Sequence, residues 1–108
     1  MALDKLNVVD SIGIDKTGGQ VTLAIIDEQD WEEEEGHLLL LQEKINFYLS
    51  FLESGEVYSS YPKAEGREFE IKVFARYVPT PLGYQFLEHV AGVIEEAGFA
   101  FVHHVVET

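Results

Sequence analysis

Cysteine is absent from the 108 residues, and basic side chains are scarce: seven lysines and arginines stand against twenty aspartates and glutamates, a net charge of −13. The first lack removes disulfides, thiolate metal sites and cysteine nucleophiles, and argues against a disulfide-stapled secreted module. The second removes the basic footprint that polyanions need, so neither nucleic acid nor an anionic membrane surface is expected as a partner. Between Lys16 and Lys63 the only base is Lys44. No apolar stretch approaches the roughly 18 residues of a membrane span. The start, MALDKLNVVD, has no basic region followed by an apolar run, so it does not read as a signal peptide. A cytoplasmic protein is the expectation.

Hydrophobic residues make up 46% of the chain, enough for one core, and residues 1–108 read as a single domain that buries roughly two thirds of its unfolded surface. Strands are expected at Val8–Asp15 and Gln20–Asp27, joined by KTGG in a β-hairpin. In the second, Val21, Leu23 and Ile25 share a face. A long helix is expected from about Asp30 to Ser54, stopped by Gly55. Trp31, Leu38, Leu41, Ile45, Tyr48, Leu49 and Leu52 form its core stripe. Residues 55–67 read as a loop.

A strand at Glu68–Val78 alternates cleanly, with Phe69, Ile71, Val73, Ala75 and Tyr77 on one side. In YVPTPLG, Thr80 suits a cap and Pro81 the first helical position. The helix then runs to Ala97, burying Leu82, Phe86, Leu87, Val90, Val93, Ile94 and Ala97, and Gly98 ends it before a last strand at Phe99–Val106. The order is ββαβαβ. That predicts an α+β fold, a two-layer α/β sandwich whose mostly antiparallel sheet carries two helices on one face. A parallel crossover from the third strand to the fourth would make the sheet mixed.

The densest charge is DEQDWEEEE at 27–35, with seven carboxylates in nine positions. Asp30 and Glu33 have capping-box spacing, and glutamates are favoured at the positive end of a helix dipole. Glu32, Glu33, Glu34 and Glu35 exceed what capping needs and form a candidate acidic surface.

Chemistry is harder to find. Asp15-Lys16-Thr17-Gly18 resembles the phosphorylated motif of P-type ATPases, but the partner motifs are missing and position 19 is glycine, so a turn is expected. His37, His89, His103 and His104 are the metal candidates. His103 and His104 are adjacent on a strand and point to opposite faces, and no H-E-x-x-H spacing exists, so no metal is expected. No G-x-S-x-G elbow or cofactor fingerprint occurs, leaving only a pocket around Tyr58, Tyr61 and the histidines for an enzymatic reading. No catalytic residue and no cofactor is assigned.

The long helix also has an apolar back: Leu40, Phe47 and Phe51 cluster opposite its core stripe. Either another element folds over them or they form an interface, for which a two-fold homodimer is the commonest arrangement.

With VDSIGID, VTLAIID, DWEEEEGHLLLLQEKINFYLSFLESGE and GFAFVHHV, the chain resembles a family of small bacterial proteins of unknown function. That resemblance implies a stand-alone bacterial cytosolic domain and carries over no catalytic residue. In HLLLLQEKIN, Gln42, Glu43, Lys44 and Asn46 read as a solvated flank. The expected role is non-enzymatic protein–protein contact, with itself as a homodimer or with a basic protein. An acidic inhibitor of the immunity type, blocking a toxin's basic cleft, is the alternative.

Overall fold

The structure is a computed structural model and describes residues 8–106. Its elements are β1 (Ser11–Ile14), β2 (Val21–Asp27), α1 (Glu34–Glu53), α2 (Glu56–Ser60), a 3-10 turn (Pro62–Ala64), β3 (Phe69–Ala75), α3 (Pro81–Glu96) and β4 (Ala100–Val105). The strands lie in chain order, β1-β2-β3-β4. Only β1–β2 is antiparallel; β2–β3 and β3–β4 are parallel.

The expectation of a mostly antiparallel sheet is thus wrong, while the ββαβαβ order of strands and long helices holds. The reason lies in the connections. β2 and β3 are linked through α1, β3 and β4 through α3, and a helix-containing crossover returns the chain parallel to where it left. Both crossovers step the same way across the sheet, so the one-handedness of such units puts both helices on one face. The half-polar alternation of β3 was the misleading sign. It reports a face that the described helices leave open, and such a face is usual for antiparallel sheets and rare for parallel ones.

Register fixes that face. Val21, Leu23 and Ile25 stand beside Phe69, Ile71 and Val73, and Ile71 beside Phe101. These pack with Leu41, Ile45, Tyr48 and Leu52 of α1 and Leu87, Val90 and Ile94 of α3 into one core. The opposite face carries Thr22, Ala24, Ile26, Glu70, Lys72, Phe74, Val102 and His104.

The helix ends follow local chemistry. Thr80 Oγ1 accepts from the Gly83 N–H at 3.0 Å, with Pro81 in the first turn. Gly55 and Gly98 have φ of 82° and 94°, as terminators should. At Gly98 the N–H groups of Phe99 and Gly98 reach Ile94 O (3.1 Å) and Glu95 O (3.0 Å), a Schellman pair. Residues 55–67, read as a loop, contain α2, whose Val57 is buried.

The start of α1 departs from expectation. The helix begins at Glu34, after Glu33, and not at Asp30. Asp27 Oδ1 and Asp30 Oδ1 instead accept the N–H groups of Gln29 (3.2 Å) and Glu32 (3.1 Å), so each side chain closes its own turn. Trp31 therefore sits in the connection, outside the helix whose buried stripe it was expected to begin.

Candidate functional site

Two buried polar clusters sit under α1. The first joins the end of β2 to the first turns of the helix. Asp27 and His37 are 2% and 1% exposed, and His37 Nε2 lies 2.6 Å from Asp27 Oδ2. Nδ1 lies 3.1 Å from the carbonyl of Asp30, which can only accept, so Nδ1–H donates. Nε2 and Oδ2 then share one proton, written either as an imidazolium facing a carboxylate or as a neutral pair. Trp31 stacks on the imidazole, ring centroids 3.8 Å apart and planes at 26°.

The far edge of Trp31 rests on Gly83 in the first turn of α3. A Cβ at position 83 would stand 2.9 Å from Trp31 Cη2 and 3.1 Å from Pro79 Cβ. Both neighbours are stiff, so Gly83→Ala is expected to cost about 1–3 kcal/mol by overpacking. Chemical denaturation checks this; a change within about 0.5 kcal/mol would show that the ring can move aside.

The second cluster ties the segment before β1 to the same helix. Lys44 Nζ pairs with Asp10 Oδ1 at 2.7 Å, with Lys44 0% exposed. Asp10 Oδ2 accepts from the Ile26 N–H at 2.9 Å, two residues beyond Ala24 of the last β1–β2 pair, so a side chain extends the ladder. Tyr48 OH donates to Ala24 O (2.6 Å) and accepts from the Asp10 N–H (2.7 Å). Burial pushes the Tyr48 hydroxyl well above the usual tyrosine range. The reading of Lys44 as a solvated flank is overturned. Its signal was legible: His37, Leu41, Lys44 and Tyr48 recur at helical spacing on one buried stripe.

Chemically, both clusters are closed. A histidine that serves as a general base needs one nitrogen open to a substrate. Both nitrogens of His37 are engaged, one with a carboxylate and one with a backbone carbonyl. Tyr48 likewise spends its hydroxyl on two backbone groups. These are clasps holding the β2–α1 connection and the β1 edge.

The remaining candidates are dispersed. Asp15 Oδ1 accepts from the N–H groups of Thr17 (2.8 Å) and Gly18 (2.9 Å), and those bonds lower its pKa. Asp15 O also accepts from the Gly19 N–H at 2.9 Å, so the segment is a turn. His89 is exposed on α3, His103 is 5.9 Å from the Tyr84 ring, and His104 stands beside Phe74 on the open face. Among the described residues no three His, Cys, Asp or Glu side chains gather as a metal site. Tyr58 is exposed, and Tyr61 lines a small pocket with Val9, Ile12, Phe47 and Phe51, away from any histidine.

That pocket also locates the apolar back of α1. Phe51 is 8% exposed, while Leu40 and Phe47 are half-buried against the core. Phe47 and Phe51 stack on each other at 6.3 Å, beside Val9 and Ile12 of the β1 segment. The acidic surface stays outside: Glu32, Glu33 and Glu35 are exposed and Glu34 is half-buried.

The larger concavity lies elsewhere, where β2 and β3 end on the open face. It has a volume of about 650 Å³ and is lined by Ile26, Asp27, Glu28, Phe74, Arg76 and Val106. No pattern of types marked it in the sequence, because it joins residues at and just past the ends of three strands.

A family model matches residues 1–107. The chain belongs to that family, one of unknown function (DUF6572). Membership covers both clasps and the open face, and it assigns no activity to any of them. No curated protein and no solved structure matches the chain. Among the described residues no helix is long and apolar enough to cross a membrane.

Proposed function

We propose that this chain is a non-enzymatic domain that works by protein–protein contact, with the open face of its sheet as the contact surface and a second copy as partner. The observation that carries this reading is the uncovered parallel ladder. Parallel strands are nearly always covered on both faces, yet here β2–β4 present Ile26, Phe74 and Val102, with Val106 just past β4, on a face that the described helices leave open. Charge supports a two-fold arrangement: Glu28 and Arg76 rim the same groove, so a symmetric copy sets each against the other. The closed state of both polar clusters supports contact over catalysis.

Light scattering across a concentration series tests it. A dimer is expected that Phe74→Asp, or Val106→Asp at an exposed position, weakens by roughly a hundredfold or more, as for a central apolar contact. A monomeric mass at every concentration would sink the proposal.

One observation favours a second reading, an acidic inhibitor. Glu28, Asp30, Glu32, Glu33 and Glu35 are all exposed on the β2–α1 connection and the first turn of α1. A basic partner held there would release steeply with added salt. Binding indifferent to ionic strength removes that reading.

A further inference from the structure

The helix layer also carries an outward-facing groove whose floor belongs to the core. α1 and α3 lie beside one another on the sheet, and a groove of about 110 Å³ remains between them. Ile45, Val90 and Ile94 form its buried floor, and Leu49, Phe86 and Val93 its walls. Val93, assigned to the core by the pattern of α3, is 44% exposed, and so is Leu82 at 45%, eleven positions earlier on the same helical line. These side chains have the periodicity of a buried stripe without its cover.

The carboxylates around the groove outnumber its basic groups, although His89 also lines it. α1 carries Glu34, Glu35, Glu43 and Glu53, and α3 carries Glu88, Glu95 and Glu96. Neither helix has a lysine or arginine except Lys44, which is buried against Asp10. On α1 the groove residues Gln42, Asn46 and Leu49 continue at helical spacing into Glu35 at one end and Glu53 at the other. On α3, Glu96 stands three residues beyond Val93. Carboxylates therefore bracket an apolar slot.

We propose that the α1/α3 groove docks a basic amphipathic helix, one apolar side chain entering the slot while flanking lysines or arginines meet Glu35, Glu53 and Glu96. Helix-in-groove recognition needs an apolar seam with complementary charge at its edges, and both are in place. A second copy is a poor occupant, since its matching face brings the same sign of charge. The groove lies on the layer opposite the open sheet face, so this inference stands apart from the dimer.

The probe is a helical peptide of about 18 residues built from leucine and lysine, titrated into the full chain while backbone amide shifts are followed by NMR. Shifts are expected to concentrate on residues 42–49 and 86–94, with affinity falling by roughly tenfold or more in Val93→Asp and in Asn46→Trp. Val93→Asp adds negative charge, so unspecific attraction of a cationic peptide would tighten in that variant. Asn46 is exposed at the groove, and a tryptophan there fills the slot without changing charge. Phe74→Asp should leave the titration unaltered, which separates this surface from the sheet face. Unchanged or tighter binding in both groove variants overturns the proposal, and so does equal binding of a leucine–glutamate peptide. A dimer of the free protein that Val93→Asp dissolves also overturns it, by giving the groove to a second copy.

Discussion

Replacing His37 with alanine is expected to destabilise the fold by about 3–5 kcal/mol, because Asp27 is left buried without its partner. Three losses coincide. The 2.6 Å contact to Asp27 Oδ2 disappears, the Asp30 carbonyl loses its donor, and Trp31 loses the ring beneath it. Trp31 is the only tryptophan, so its emission should move to the red as the ring gains water. Urea denaturation gives the energy. Asp27→Asn keeps a hydrogen-bonding group at Oδ2 and is expected to lose less. Replacing both partners by apolar side chains should lose less than the sum of the two single changes, since no unpaired charge remains. A cost below about 1 kcal/mol for His37→Ala would mean that water or a neighbour satisfies Asp27, and the clasp reading would fail.

What the sequence revealed of this fold followed from side-chain period, and what it concealed followed from pairing partner. Strict alternation identified β3 and its buried face over Phe69–Ala75, but the strand stops short of the expected Val78, and Tyr77, expected on the core side, is exposed beyond its end. Alternation says which side of a strand meets the core, but the neighbour's direction is set by how the chain returns, and β3 has no local mark of that. Trp31 shows a second limit. Its position on the stripe of Leu38 and Ile45 suggested helix, yet the side chains of Asp27 and Asp30 hold the backbone in turns up to Glu33. Local side-chain bonds outcompete helix over those residues. Leu82 and Val93 show a third limit, for periodicity alone cannot say whether a helical stripe is covered within its own chain.

The site was less legible, for a related reason. Asp27 and His37 are ten residues apart on different elements, and only the chain reversal at the connection joins them. Carboxylates are so abundant between 27 and 35 that nothing set Asp27 apart. Leu40, Phe47 and Phe51 were visible as an apolar set, but whether β1 or a partner covers them depends on the sheet edge above. Lys44, like His37 on the same stripe, was a buried polar residue the pattern could have caught. A lone base between Lys16 and Lys63, in register with His37, Leu41 and Tyr48, is out of place on a solvated flank.

That register makes Lys44→Ala the second large expected loss, again about 3–5 kcal/mol by thermal or chemical unfolding. The ammonium is wholly buried and contacts Asp10 Oδ1 at 2.7 Å. Without it the carboxylate keeps, among the described residues, the Ile26 N–H alone, a single donor for a group that accepts several. The effect should extend beyond the pair. Asp10 extends the β1–β2 ladder and its own N–H donates to Tyr48 OH, so loosening Asp10 frees the short edge strand β1 from β2. Hydrogen exchange at Ile26 should quicken, as should exchange along β1, before the β2–β3 ladder responds. Asp10→Ala is expected to be milder than Lys44→Ala, because the lysine stem can carry its ammonium toward water. In a double-mutant cycle the two should couple by about 0.5–3 kcal/mol. Additive losses with no change in exchange at Ile26 would show that Lys44 serves only to fill space beneath α1, and the second clasp would then reduce to Tyr48 alone.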